Sequence, residues 1–297
     1  MTISEKLSAE FPRLVILKNE PMAQHTSFRI GGPATIVLPR EEEELVQVYR
    51  FCVQNDHVPL LLGAGTNILA PDKGLDRIVI CTRDMTQIKD LGDGLIEAQC
   101  GALLSKLACF ARDLSLTGLE FAHGIPGTVG GGVYMNAGAY GGELRQVVTK
   151  TRAMLPDGKI VEMKGEEHEF AYRHSVFEDL NAVILSTCVQ MQTGEKEQIS
   201  VKMQELAQKR RTSQPLELPS AGSTFKRPVG GFAAAMIDEA GLRGKGVGGA
   251  AVSEKHAGFV VNLGGATAAD VLATMELIQQ TVKQRFGTQL EPEVRIW

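Results

Sequence analysis

The sequence predicts a protein of mixed helices and strands in roughly two domains, and three observations carry that reading. The chain has 297 residues, 43% of them hydrophobic and 22% charged, the composition of a globular protein large enough for more than one core. Short runs that alternate apolar and polar residues recur along it, as strands do, and among them lie segments with an apolar stripe at helical spacing. Glycines gather in three places, 63–67, 118–143 and 241–249.

In chain order, residues 36–39 read as a strand and 41–55 as a helix. Four acids open that helix and complement its N-terminal dipole, and Leu45, Val48, Tyr49 and Cys52 share one face. Strands are expected at 58–62, 77–81 and 95–100, and a helix at 104–114 with Gly118 close behind as a possible stop. Three more strands, 147–155, 159–164 and 182–192, follow, the first two joined by the turn Pro156-Asp157-Gly158. Polar residues 193–198 lead into a helix that runs through Arg211, and 215–297 reads as a separate lobe. The clearest helix is 267–286. Thr267 and Asp270 form a capping-box pattern, Val271, Met275, Ile278, Val282 and Phe286 make the buried stripe, and Gly287 ends it.

Composition excludes several classes of function. The net charge of −4 argues against a nucleic-acid surface, and the one basic cluster, Lys209-Arg210-Arg211, reads as a solvated helix end. Five cysteines, an odd number without C-x-x-C spacing, fit buried free thiols in a reducing cytosol. No His or Cys spacing suits a metal, no signal peptide opens the chain, and no apolar run approaches the ~20 residues that span a bilayer. A cytoplasmic protein without metal, nucleic-acid or membrane partners is expected.

The stretch 118–143 organises the rest. It holds nine Gly in 26 residues, a density that an ordinary helix or strand would not carry. Such a stretch suits close approach of backbone to a large ligand, or φ > 0 at several turns; the alternative is a glycine-rich turn between strands. Asn136 and Tyr140 lie among the glycines and could add specific hydrogen bonds. The loops 63–67 and 124–131 contain no Lys or Arg, so a phosphate there would be held by backbone N–H groups, with the Thr66 and Thr128 hydroxyls assisting. A Walker A sequence is absent, and the G-x-G-x-x-G pattern begun by Gly63 and Gly65 fails at Ile68. The loops therefore suggest a dinucleotide or diphosphate without a Rossmann or P-loop frame. Three further patches could carry chemistry: Tyr172-Arg173-His174-Ser175, Ser220 to Pro228, and Glu291-Pro292-Glu293-Val294-Arg295. Each alone also reads as surface charge, turn or strand-face ion pair.

These blocks, with His25 to Pro33 and Gly244 to Asn262, resemble in order those of the UDP-N-acetylenolpyruvoylglucosamine reductases, bacterial flavoenzymes that make UDP-N-acetylmuramic acid for peptidoglycan. The resemblance covers nearly the whole chain. It implies an α+β, vanillyl-alcohol-oxidase/PCMH-like FAD-binding fold of two subdomains, 1–56 and 57–197, with a C-terminal substrate domain, 198–297. It also implies non-covalent FAD, NADPH as hydride source, ping-pong order, a UDP-sugar substrate and a monomer. Carried over by motif, Gly63, Ala64, Gly65, Thr66 and Asn67 face the FAD diphosphate. Gly124, Ile125, Gly127, Thr128, Gly130 and Gly131 also line FAD, with Asn136, Ala137 and Gly138 nearby.

The same resemblance puts the active-site groups at Arg173, Ser223 and Glu293. Arg173 would stabilise an enediolate on the substrate carboxylate, Glu293 would act at the same place, and Ser223 would donate a proton to the adjacent carbon. Two departures stand out. Arg227 replaces the Asn of many members, and Arg173 and Ser223 lie 50 residues apart (223 − 173), the spacing of the short-loop type that lacks an extra substrate-closing segment. Tyr172 and Arg227 are then the candidates for the UDP diphosphate. Two rivals remain: an FAD oxidase whose flavin is attached through a residue such as His123, and a nucleotide-binding protein without catalysis.

Overall fold

The computed structural model describes residues 1–297, and the chain folds into two compact units. The first comprises 1–18, 35–64 and 77–209. Its smaller sheet pairs Thr35–Val37 in parallel with Ile78–Ile80, and Leu60–Leu62 in parallel with Val79–Cys81. Its larger sheet is antiparallel, in the order Ile160–Lys164, Val148–Met154, Val183–Gln190, Leu95–Gln99, Ile88–Gly92. The helix Glu42–Gln54 buries Leu45, Val48, Tyr49 and Cys52, as its stripe requires. One core joins the two sheets, containing Val37 and Ile80 from the first and Ile96 and Leu185 from the second. Arg50 Nη2 donates to the Gly158 carbonyl at 2.6 Å and Arg152 pairs with Glu42 at 2.6 Å, so the helix is tied to the larger sheet at two points. The 155–159 turn closes as expected, with Gly158 at φ +83°.

The second unit comprises 19–34, 65–76 and 210–297. Ala268–Phe286 is its main helix, with Val271, Met275, Ile278 and Val282 buried against a three-stranded antiparallel sheet, Gly246–Val247, Ala250–Val252 and Val260–Asn262. Thr267 and Asp270 form the capping box, and Gly287 ends the helix at φ +69°. Two upstream pieces of chain belong to this core through Phe28, Ile30 and Leu69. Asp72 accepts the amide protons of Ala268 and Ala269, a second carboxylate at that helix start.

Several expectations change. The glycine-rich stretch contains a helix, Val129–Tyr134, N-capped by Thr128. Gly130 and Gly132 suit it because the helix is packed hard on its surroundings: a Cβ at Gly130 would lie 2.8 Å from that of Cys100, and one at Gly132 2.9 Å from Leu144. Gly118 is not the stop for the helix Leu104–Asp113; Ser115, at φ +58°, turns the chain first. The helix Ile3–Glu10 and the exposed edge strand Ile88–Gly92 carry too few buried apolar residues to show a periodicity. All five cysteines are free, four of them buried, and burial pushes the Cys100 thiol up to about 12. No helix is long and apolar enough to cross a membrane.

Candidate active site

In the first unit, the strand Leu60–Leu62 delivers Gly63 against the loop before the helix Val129–Tyr134. A Cβ at Gly63 would collide with the Thr128 hydroxyl, so the residue is glycine for want of space. Thr128 is 2% exposed, and its hydroxyl accepts the Gly131 amide at 3.3 Å. The amides of Val129 and Gly130 are also taken, by the carbonyls of Ala102 and Cys100. The helix start is therefore largely satisfied inside the protein, contrary to an open helix-end phosphate site. What stays undonated is the main chain before it: the N–H groups of Gly127 and Thr128, and that of Ala64, meet no protein acceptor. Ala64 and Gly127 are half-buried, so these donors remain available to an acceptor from outside the chain. Gly124 and Ile125 precede Gly127 in the same loop, half-buried. Gly131 is exposed, and a Cβ there would touch only the Thr128 hydroxyl at 3.5 Å. A dinucleotide carried by main-chain donors fits these residues; Gly130 is packed onto Cys100.

The segment Asn136–Gly138 joins a second cluster. Asn136 is 1% exposed at φ +44°, a conformation Asn tolerates better than most residues. Its Nδ2 donates to Glu143 Oε2 at 3.1 Å and to the Ala171 carbonyl at 3.0 Å, and its Oδ1 accepts the Arg145 amide at 3.0 Å. Both Nδ2 donors and one acceptor position of Oδ1 are thus used within the protein. Ala137 lies between, with its amide on the Gly132 carbonyl. Gly138 pairs with Glu143 in a two-stranded ribbon that leaves no room for a side chain.

Arg173 belongs to the same cluster. Ala171 and His174 bond to each other's main chain at 3.2 and 3.3 Å, leaving Tyr172 and Arg173 at the tip of a two-residue turn. Arg173 is held at φ +56°, a left-handed conformation costing an ordinary residue on the order of 1–2 kcal/mol. Its Nη1 donates to the Gly138 carbonyl at 3.3 Å, and its guanidinium lies 5.4 Å from the Tyr172 ring centre. Ser175, fully buried, donates to the Tyr134 carbonyl at 2.8 Å. Tyr172 is exposed.

In the second unit, residues 224–226 run alongside 291–293. The Glu293 amide donates to the Thr224 carbonyl at 2.8 Å and the Lys226 amide to the Glu291 carbonyl at 2.9 Å, around an antiparallel bridge between Phe225 and Pro292, which puts Ser223 and Glu293 on neighbouring segments of chain. Thr224 is 1% exposed and its hydroxyl accepts the Val260 amide, so the residue after Ser223 is anchored in the core. Glu293 is buried, and its carbonyl accepts from Asn67 Nδ2 at 2.9 Å. Gly65 is forced by the His25 carbonyl beside it, and Thr66 follows at the turn into Ile68–Leu69. That short strand pairs in parallel with Arg295–Ile296. Arg227 is exposed and stacks on Phe232 with its guanidinium 4.3 Å from the ring centre. Sequence reasoning missed Glu143, Ser175 and Thr224 as supports. Each stands inside a motif block, and that adjacency was the available signal.

The fold and these loops define a flavin-binding oxidoreductase: the profile of the FAD binding domain matches residues 33–164. The chain belongs to the UDP-N-acetylenolpyruvoylglucosamine reductase family, whose C-terminal-domain profile matches residues 214–297. The reductase of Syntrophomonas wolfei is 44% identical over 94% of this chain and 93% of its own length. That of Geobacillus thermodenitrificans is 44% identical over 99% and 97%. The crystal structure of the Thermus caldophilus enzyme superposes with a TM-score of 0.81 at 32% identity, covering 96% of this chain and 99% of that one. An alkyldihydroxyacetonephosphate synthase, 19% identical with a TM-score of 0.51 over 64% of this chain and 40% of its own, shares the fold alone.

Proposed function

We propose that this chain catalyses the NADPH-dependent reduction of the enolpyruvyl ether of UDP-N-acetylglucosamine enolpyruvate to UDP-N-acetylmuramate, in the cytoplasm, for peptidoglycan synthesis. Residues 1–56 and 57–197 act as cofactor-binding parts and 198–297 as the substrate-binding part. The observation that carries the reading is the pairing of the segment after Ser223 with that of Glu293, two chemistry-bearing residues far apart in sequence and carried on neighbouring, hydrogen-bonded segments of chain. The undonated amides of Ala64, Gly127 and Thr128 support a diphosphate of FAD, which when bound supplies the two-electron carrier between NADPH and the carbon–carbon double bond.

The chain's own groups then have distinct tasks. Arg173 is a permanent cation that balances charge gathering on the substrate carboxylate as an enediolate. Glu293 acts at that carboxylate. Ser223 passes its hydroxyl proton to the neighbouring carbon and must be resupplied. Tyr172 and Arg227, both exposed, take the UDP diphosphate. The test is anaerobic: NADPH bleaches the yellow protein, and the enolpyruvyl substrate restores the colour. Failure of the substrate to restore it, while oxygen does, would favour an oxidase. Denaturation should release free FAD; flavin left on the protein would point to a covalent link such as one through His123.

A further inference from the structure

We infer that Asn136 is a positioning residue for Arg173, acting through the main chain of the turn that carries it. The inference rests on the proposal that Arg173 acts on the substrate. The residues Tyr134 to Asn136 hold the 171–175 turn at both ends. At the near end, Asn136 Nδ2 donates to the Ala171 carbonyl at 3.0 Å, the same oxygen that closes the turn by accepting the His174 amide. At the far end, the buried Ser175 hydroxyl donates to the Tyr134 carbonyl at 2.8 Å. Gly138, two residues further on, receives the Arg173 guanidinium itself. Base, tip and end of the turn are thus referred to one short piece of backbone.

Such anchoring is needed because Arg173 sits at φ +56°, from which an unrestrained turn would relax. Asn136 is suited to the task because it is itself fixed. Its Oδ1 holds the Arg145 amide, its second Nδ2 proton goes to Glu143 Oε2, and Glu143 is in turn paired with Arg145. Asn also accepts the left-handed backbone found at this position. The side chain is 1% exposed, so its effect on the reaction is indirect.

The test uses the FAD-loaded enzyme with Asn136→Gly, which keeps access to positive φ while removing the side chain, alongside Arg173→Lys and the double variant. Asn136→Gly should keep its flavin and its rate of flavin reduction by NADPH. Its reoxidation by the enolpyruvyl substrate should slow about ten- to a hundredfold, as expected for a displaced catalytic group. Amide hydrogen exchange in 171–175 should quicken in the flavin-free protein as well, and the double variant should be little slower than Arg173→Lys alone. Should Asn136→Gly fail to fold, Asn136→Asp, which keeps the acceptor for Arg145 and removes the donors, is read in its place. Loss of flavin with normal exchange in 171–175 would overturn the inference and make Asn136 a cofactor residue. Unchanged reoxidation in Asn136→Gly beside a slow Arg173→Lys would overturn it too. Normal reoxidation in Arg173→Lys would instead overturn the role proposed for Arg173, and the inference with it.

Discussion

Asn67 Nδ2 donates to the carbonyl of Glu293 at 2.9 Å, while the Asn67 carbonyl accepts the amide of Arg295 at 2.9 Å. A residue of the first glycine loop therefore holds the main chain that carries and follows Glu293, the proposed catalytic carboxylate. Asn67→Ala would remove the bond from Nδ2 to the Glu293 carbonyl, a loss of roughly 0.5–1.5 kcal/mol. It should lower the melting temperature and slow substrate-driven flavin reoxidation more than flavin reduction by NADPH. Equal slowing of both half-reactions would show that Asn67 serves only the cofactor.

Gly63 and Gly131 separate packing from ligand contact. A Cβ at 63 meets the Thr128 hydroxyl at once, so Gly63→Ala should cost about 1–3 kcal/mol of stability together with flavin. A Cβ at 131 has room, and Gly→Ala in a helix adds roughly 0.5–1 kcal/mol. Gly131→Ala should therefore keep or raise the melting temperature while lowering the flavin-to-protein absorbance ratio. A full flavin complement in that variant would remove Gly131 from the cofactor site.

The contrast between these residues and the helix Ala268–Phe286 shows what was legible beforehand. Thr267, Asp270 and Gly287 were readable because caps are local: each acts within a turn of its own helix. The Gly63–Thr128 contact and the bond from Asn136 to Ala171, 35 residues on, depend on how separate strands are brought together, and no local pattern encodes that. The glycine count in 118–143 pointed to backbone exposed for a ligand. It could not distinguish Gly131, which faces out, from Gly130 and Gly132, which are bare so that a helix can pack on Cys100 and Leu144. The motif blocks pointed to Arg173, Ser223 and Glu293 as candidates, and the hydrogen bonds that hold their main chain emerged only from the fold.

His168 gives a pH dependence of known sign. It is fully buried, stacked on Phe170 and edge-on to Phe177. Nδ1 lies 2.8 Å from the Gly165 carbonyl, which can only accept, so Nδ1 carries the proton and Nε2 accepts from the Thr151 hydroxyl at 3.0 Å. Burial holds its pKa below the usual value. The unfolded chain therefore binds the proton first as pH falls. The stability contribution is complete above the unfolded pKa of about 6.5 and is lost as pH drops through the lower folded value. His256, also lowered by burial, acts in the same direction. The melting temperature should fall between pH 7.5 and 5, and His168→Gln should make that fall shallower. An unchanged slope would remove His168 as a source.

Ser223→Ala is the sharpest test of the proposed chemistry. Gly222, at φ +76°, precedes Ser223, and the buried, hydrogen-bonded Thr224 follows it, so the backbone is held independently of the hydroxyl. Removing that hydroxyl should leave fold, flavin content and NADPH-driven flavin reduction intact. A positioned proton donor contributes about 10²–10⁴-fold, so reoxidation by the enolpyruvyl substrate should slow by that range. Stopped-flow absorbance of the flavin reads the two half-reactions separately. Equal losses in both would show that the hydroxyl organises the site as a whole. A loss confined to reoxidation is what a proton donor to the substrate carbon requires.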